Sequence, residues 1–168
     1  MATTVHVTQQ HTGLKNSIAF IICLLIPLAV GGISGYITAS EIDTWFSSLR
    51  KPSFNPPNSV FGPVWTVLYI LMGISSFLIW KSPKTGLRKK ALTIYGIQLF
   101  LNFWWSILFF SFHLLLIPAI EILALWSCII YMIVTFKKIN APAAYLTIPY
   151  LIWVSFASLL SISIWLLN

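Results

Sequence analysis

The sequence predicts an all-α integral membrane protein, a single bundle of five transmembrane helices. Composition, the length of the apolar runs and the placement of charge predict it. Of 168 residues, 58% are hydrophobic and 8% charged, against roughly 25% charged residues in a soluble domain. Mean hydropathy is +0.90. Five runs reach the ~20 apolar residues that a helix needs to cross the hydrocarbon core, and none contains Lys or Arg. Hydrocarbon offers the backbone no partners, so such runs are helices or closed-barrel strands. Their apolar character is continuous rather than alternating, which selects helices.

A short polar segment, residues 1–16, leads into a first span at about 17–38. This run is longer than the ~7–15 residues of a secretory signal core, so a retained helix is expected. Within it "GGISG" sets Gly31 and Gly35 four apart, a spacing for close helix packing inside one bundle or between two subunits. A long first loop, 39–59, follows. Its Ile42, Trp45, Phe46 and Leu49 recur at the spacing of a short amphipathic helix. Pro52, Pro56 and Pro57 then hold the backbone extended. Pro63 is expected in the first turn of the second span, 60–80, where a missing donor costs nothing. The remaining spans fall at 91–112, 116–136 and 144–167, with short connections that make neighbours antiparallel. No internal repeat is visible, which argues against a transporter built from duplicated halves.

The net charge of +7 comes from basic residues in the connections, where it specifies topology rather than a nucleic-acid partner. Lys15, Lys81, Lys84, Arg88, Lys89, Lys90, Lys137 and Lys138 fall on one side, and only Arg50 and Lys51 on the other. The N-terminus is therefore expected in the cytoplasm and the C-terminus outside. Cys23 and Cys128 lie in separate apolar runs and read as free thiols. The acids are Glu41, Asp43 and Glu121 and the histidines His6, His11 and His113, too scattered for a metal site. No catalytic motif is present. His113, where the third span ends, suits a capping or interfacial histidine or a haem ligand. Glu121 is the one acid inside a span. It reads equally as a carboxylate favoured near a helix start and as a functional intramembrane group.

Eight Trp, six Tyr and twelve Phe exceed what interfacial belts require, although Trp80, Tyr145 and Trp165 near span ends fit that role. On the second helix Trp65, Tyr69, Met72, Gly73 and Ser76 share a face. On the third, Asn102, Trp105, Ser106 and Phe109 do so, and on the fifth Pro149, Trp153 and Ala157 with Leu160 or Ser161. An unpaired amide in hydrocarbon costs roughly several kcal/mol, so Asn102 is expected to face the bundle interior. Indole faces with a few inward polar groups make a site for a large, flat, mostly apolar ligand. The alternative is that these rings simply fill the core. "LWSCIIYMIVTFK", Leu125–Lys137, also fits a loose sterol-contact pattern.

Three stretches carry a resemblance: "KPSFNPPNSVFGPVWTVLYILMG" at 51–73, "QLFLNFWWSILFF" at 98–110 and "PYLIWVSFASLLSISIWLLN" at 149–168. Through them the chain resembles the TspO/MBR family, the tryptophan-rich sensory and translocator proteins, over about residues 17–168. The resemblance implies a five-helix homodimer in membrane lipid, here of bacterial type in the cytoplasmic membrane. It implies binding of porphyrins such as protoporphyrin IX, other haem-type tetrapyrroles and benzodiazepine-like ligands in a cavity closed by the first loop. By position, Trp65, Asn102, Trp105 and Trp153 match pocket residues, and Pro52, Phe54, Pro56 and Pro57 match the lid. Glu121 matches the acid of the fourth helix. Arg50 and Lys51 would meet ligand carboxylates.

The family's "LN" on the fifth helix is here Leu160-Ser161, and the basic tail that carries the sterol motif in animal members does not follow Asn168. Porphyrin recognition is thus the stronger expectation, as ligand or substrate and without an obligatory cofactor. Two alternatives are light-dependent porphyrin degradation using Trp65 and Trp153, and a ligand-free structural or interaction protein.

Overall fold

The computed structural model describes the backbone of residues 2–168 and the side chains from Leu14 onward; His6 and His11 lie outside the described residues. Helix α1 (Ala2–Asp43) is followed by the single turn α2 (Trp45–Ser48), then α3 (Asn58–Lys81) and α4 (Gly86–Ser106). A π-helical turn, Ile107–Ser111, prolongs α4, and α5 (Leu116–Lys137), α6 (Ala141–Leu146) and α7 (Ile148–Leu167) complete the chain. No strand occurs among the described residues. Five helical segments are long and apolar enough to cross a membrane. The protein is an all-α integral membrane protein.

Four local features depart from the sequence expectations. The apolar spacing at 42, 45, 46 and 49 carries helix well into the first loop. Irregular backbone is confined to about residues 49–57, after a break at Thr44 (φ −98°, ψ −89°). Helix α3 starts at Asn58, so Pro63 lies in its second turn rather than its first. The third span starts at Gly86, five residues early, because the Thr85 side chain accepts the Arg88 N–H at 3.2 Å and caps it. The fifth span is interrupted at Thr147 (φ −96°, ψ −3°). There Pro149 supplies no N–H and its ring crowds the preceding turn.

The core lies among α3, α4, α5, α6 and α7, around Met72, Ile79, Ala91, Ile129, Met132, Phe136 and Tyr150, all fully buried. Ser75 ties α3 to α6 by donating to the Ala143 carbonyl at 2.7 Å. Helix α1 packs along α3 at Gly73, where a Cβ would stand 2.8 Å from Leu24 Cα. Only glycine permits that approach of backbones. Leu25, Phe100, Ile120, Ile152 and Leu166 form part of the exposed apolar outside, as contact with lipid requires. Trp80, Tyr145 and Trp165 are exposed near span ends.

Candidate functional site

A cavity of about 360 Å³ opens between α1, α3, the end of α4 and α7. It exists because α1 presents glycine where the other helices present rings. At Gly32 and Gly35 nothing lies within 4 Å of where a Cβ would be, whereas at Gly31 a Cβ would overlap the Tyr69 ring. The GxxxG pair is thus split: one glycine seats a tyrosine and the other leaves space.

Helix α3 contributes Phe61, Trp65 and Tyr69, α4 contributes Trp105 and Ser106, and α7 contributes Trp153, Ala157, Leu160 and Ser161. The π-helical turn adds Phe109 and Phe110. The rings brace one another. Trp65 stacks on Tyr69 at 5.4 Å and Trp105 on Phe109 at 5.3 Å, while Trp153 meets Phe61 edge-on at 5.9 Å. Such pairs hold large apolar faces in fixed orientations. Three polar atoms of wall residues, Trp105 Nε1, Trp153 Nε1 and Ser161 Oγ, are buried without a hydrogen-bond partner.

Asn102 is inside the bundle as expected, but it does not line the cavity. Its Oδ1 accepts from Tyr69 Oη at 2.6 Å and its Nδ2 donates to Tyr150 Oη at 3.4 Å. Two tyrosines therefore satisfy the amide, and it stands behind the wall, holding Tyr69. Tyr150 donates in turn to Gln98 Oε1 at 2.9 Å.

Trp65, Tyr69, Trp105, Ser106, Phe109, Trp153 and Ala157 come together on one cavity. Missing from the sequence reading were Leu28, Gly31, Thr38 and Ile42 of α1, along with Phe46, Phe61, Phe110 and Ile164. The glycine run was the only available signal for α1, and it read as a packing seam.

Ile42 at the end of α1 and Phe46 of α2 line the cavity. Pro52, Phe54, Pro56, Pro57, Arg50 and Lys51 are off the wall. Phe54 packs edge-on against Phe156 at 6.3 Å, and the Lys51 ammonium lies 4.7 Å above the Phe46 ring. The first loop is anchored on two sides. The Arg50 N–H donates to Asn168 Oδ1 and Asn168 Nδ2 donates to the Arg50 carbonyl, both at 3.0 Å. His113 Nε2 stands 3.0 Å from Glu41 Oε2, and its ring stacks on Trp45 at 4.5 Å. His113 holds a left-handed backbone (φ 54°), a conformation uncommon for a non-glycine residue. Placed just past the helix end, it is the left-handed residue that terminates the π-helical turn, with Leu114 N–H donating to the Leu108 carbonyl, and its ring braces the loop as well.

Glu121 lies on α5, away from the cavity, with both carboxylate oxygens buried and unpartnered. Among the described residues no three His, Cys, Asp or Glu side chains gather where a metal could be held. Cys23 and Cys128 are free thiols.

The sequence pattern of the TspO/MBR family matches residues 23–166. A tryptophan-rich protein TspO from Archaeoglobus fulgidus is 39% identical over 153 residues, covering 91% of this chain and 99% of that protein. A tryptophan-rich protein TspO from Chlorobaculum tepidum is 37% identical, covering 92% and 98%. The translocator protein of Bos taurus is 33% identical, covering 84% and 85%.

Proposed function

This chain belongs to the TspO/MBR family, and we propose that its cavity receives porphyrins, protoporphyrin IX or a related haem-type tetrapyrrole, together with benzodiazepine-like ligands. Family membership supports a membrane sensor or translocator role; the tetrapyrrole is the finer reading. The observation that carries it is one cavity walled by three indoles, Trp65, Trp105 and Trp153, with Tyr69 and Phe109. Flat rings on several sides suit a flat conjugated ligand.

The volume, about 360 Å³, lies near the lower end of the ~300–1,000 Å³ of small-molecule pockets. A macrocycle would enter edge-first and leave its propionates outside, to be met by Arg50 and Lys51 of the first loop. The same reading takes the protein as a homodimer with a cytoplasmic N-terminus.

Titration of detergent-solubilised protein with protoporphyrin IX, followed by the Soret band, tests it. Saturable binding is expected, weakened about tenfold by Trp153→Ala or Trp65→Ala, in line with the ~0.5–1.5 kcal/mol of an aromatic pair plus lost contact area. Non-saturating binding, or binding indifferent to both substitutions, would refute the reading. Because Trp65 and Trp153 share this wall, light-dependent degradation stands as the alternative. Irradiating the loaded protein in air separates the two: porphyrin recovered unchanged supports binding alone, and a new pigment that needs Trp153 supports catalysis.

A further inference from the structure

Behind the cavity wall runs a single file of buried polar groups: Tyr69, Asn102, Tyr150, Gln98 and the Met72 sulfur. Each of these residues is at most 7% exposed, so the groups are satisfied by one another rather than by bulk water. The far end fixes the direction of the whole file. A thioether has no proton to give, so Gln98 must turn its amide N–H to Met72 Sδ, 3.9 Å away. Its carbonyl oxygen then faces Tyr150, which must donate to it. The Tyr150 oxygen is left as an acceptor for Asn102 Nδ2, and Asn102 Oδ1 as an acceptor for Tyr69. The reverse sequence would set the Gln98 carbonyl against the sulfur with nothing to accept.

Tyr69 is the one member of this file that lines the cavity. Its proton is committed to Asn102 at 2.6 Å, so to a ligand that reaches its hydroxyl it offers only lone pairs. The unpartnered indole nitrogens of Trp105 and Trp153 are donors only.

We infer that Tyr69, oriented by Asn102, Tyr150, Gln98 and Met72, makes the cavity prefer, among flat aromatic ligands of similar size and shape, those that carry an N–H or O–H donor on their edge. The inference rests on the reading of this cavity as the ligand site. Tyr69 is the specificity-determining residue, and the four residues behind it are positioning residues.

Three tricyclic probes of similar shape test it: carbazole, with an edge N–H; 9-methylcarbazole, with that donor blocked; and acridine, with an acceptor nitrogen instead. Their dissociation constants are measured by tryptophan fluorescence at a pH where acridine is neutral, with protoporphyrin IX titrated in parallel. Wild-type protein is expected to prefer carbazole over both others by about five- to tenfold, the effect of one neutral hydrogen bond. Tyr69→Phe brings the three to within about twofold, because the ring stays and the acceptor goes. Met72→Leu conserves volume and keeps the tyrosine hydroxyl, but frees the file to reverse, so the preference among the three probes shrinks. Equal binding of the probes by wild type, or a carbazole preference that survives Tyr69→Phe, overturns donor selection. If protoporphyrin still binds, the cavity reading stands. A preference undiminished in Met72→Leu overturns the control assigned to the sulfur. If neither protoporphyrin nor any probe binds, the cavity reading falls and the inference with it.

Discussion

Gly31 and Gly35 occupy equivalent places in one helical repeat, and the residues opposite them give them different duties. Gly31 is where the Tyr69 ring passes α1, and Gly35 borders open cavity. Gly31→Ala is therefore expected to push Tyr69 aside and cost about 1–3 kcal/mol, the usual effect of overpacking. Gly35→Ala meets nothing and should leave stability unchanged or slightly raised, since alanine favours helix. Thermal unfolding in detergent checks both, and equal midpoints for the two variants would contradict the packing described. The aromatic faces on the second, third and fifth spans were legible residue by residue, because a period of 3.6 fixes which side chains share a side. The partners of Asn102 were not legible. Tyr69 and Tyr150 lie 33 and 48 residues from it in sequence, and no local pattern announces a hydrogen bond across helices.

At the scale of the element, the first loop is a braced cover rather than a loose strap. Its turn α2 puts Phe46 on the cavity wall, while His113–Glu41 and Asn168–Arg50 hold it on two sides. Exposed ion pairs contribute only ~0–1 kcal/mol, and a neutral hydrogen bond about 1 kcal/mol. Glu41→Gln and Asn168→Ala together should thus leave the fold intact but speed amide exchange across residues 44–50 several-fold. Unchanged exchange there would mean that the brace lies elsewhere, in the packing of Phe46 and Trp45 against Phe109.

The sequence located the five spans to within a few residues because hydrocarbon tolerates nothing but satisfied backbone. It missed the interruption at Thr147 and the π-helical turn at Ile107–Ser111. Each is a local change of hydrogen bonding that leaves hydropathy untouched. Pro149 was visible as a residue, but its effect was read as a place on a face rather than as a break.

For the molecule as a whole, charge and shape point along the same axis. The short connections between α3 and α4 and between α5 and α6 carry Lys84 and Lys138, with Lys81, Arg88, Lys89, Lys90 and Lys137 in the adjoining turns. The opposite end holds Glu41, Asp43, Arg50 and Lys51. The proposed orientation puts the braced cover outside the cytoplasm. A membrane-impermeant maleimide applied to intact cells should label Ser53→Cys and spare Lys84→Cys, and the reverse pattern would invert the topology.

The central claim is that the space between α1, α3, α4 and α7 is where the ligand lies. Ala157 lines that space on α7 without filling it, so Ala157→Phe occupies it from within. Protoporphyrin affinity is expected to fall by more than about tenfold, as excluded volume in a packed site demands, while the unfolding midpoint stays within a few degrees of wild type. A folded Ala157→Phe protein that binds protoporphyrin as tightly as wild type would contradict it.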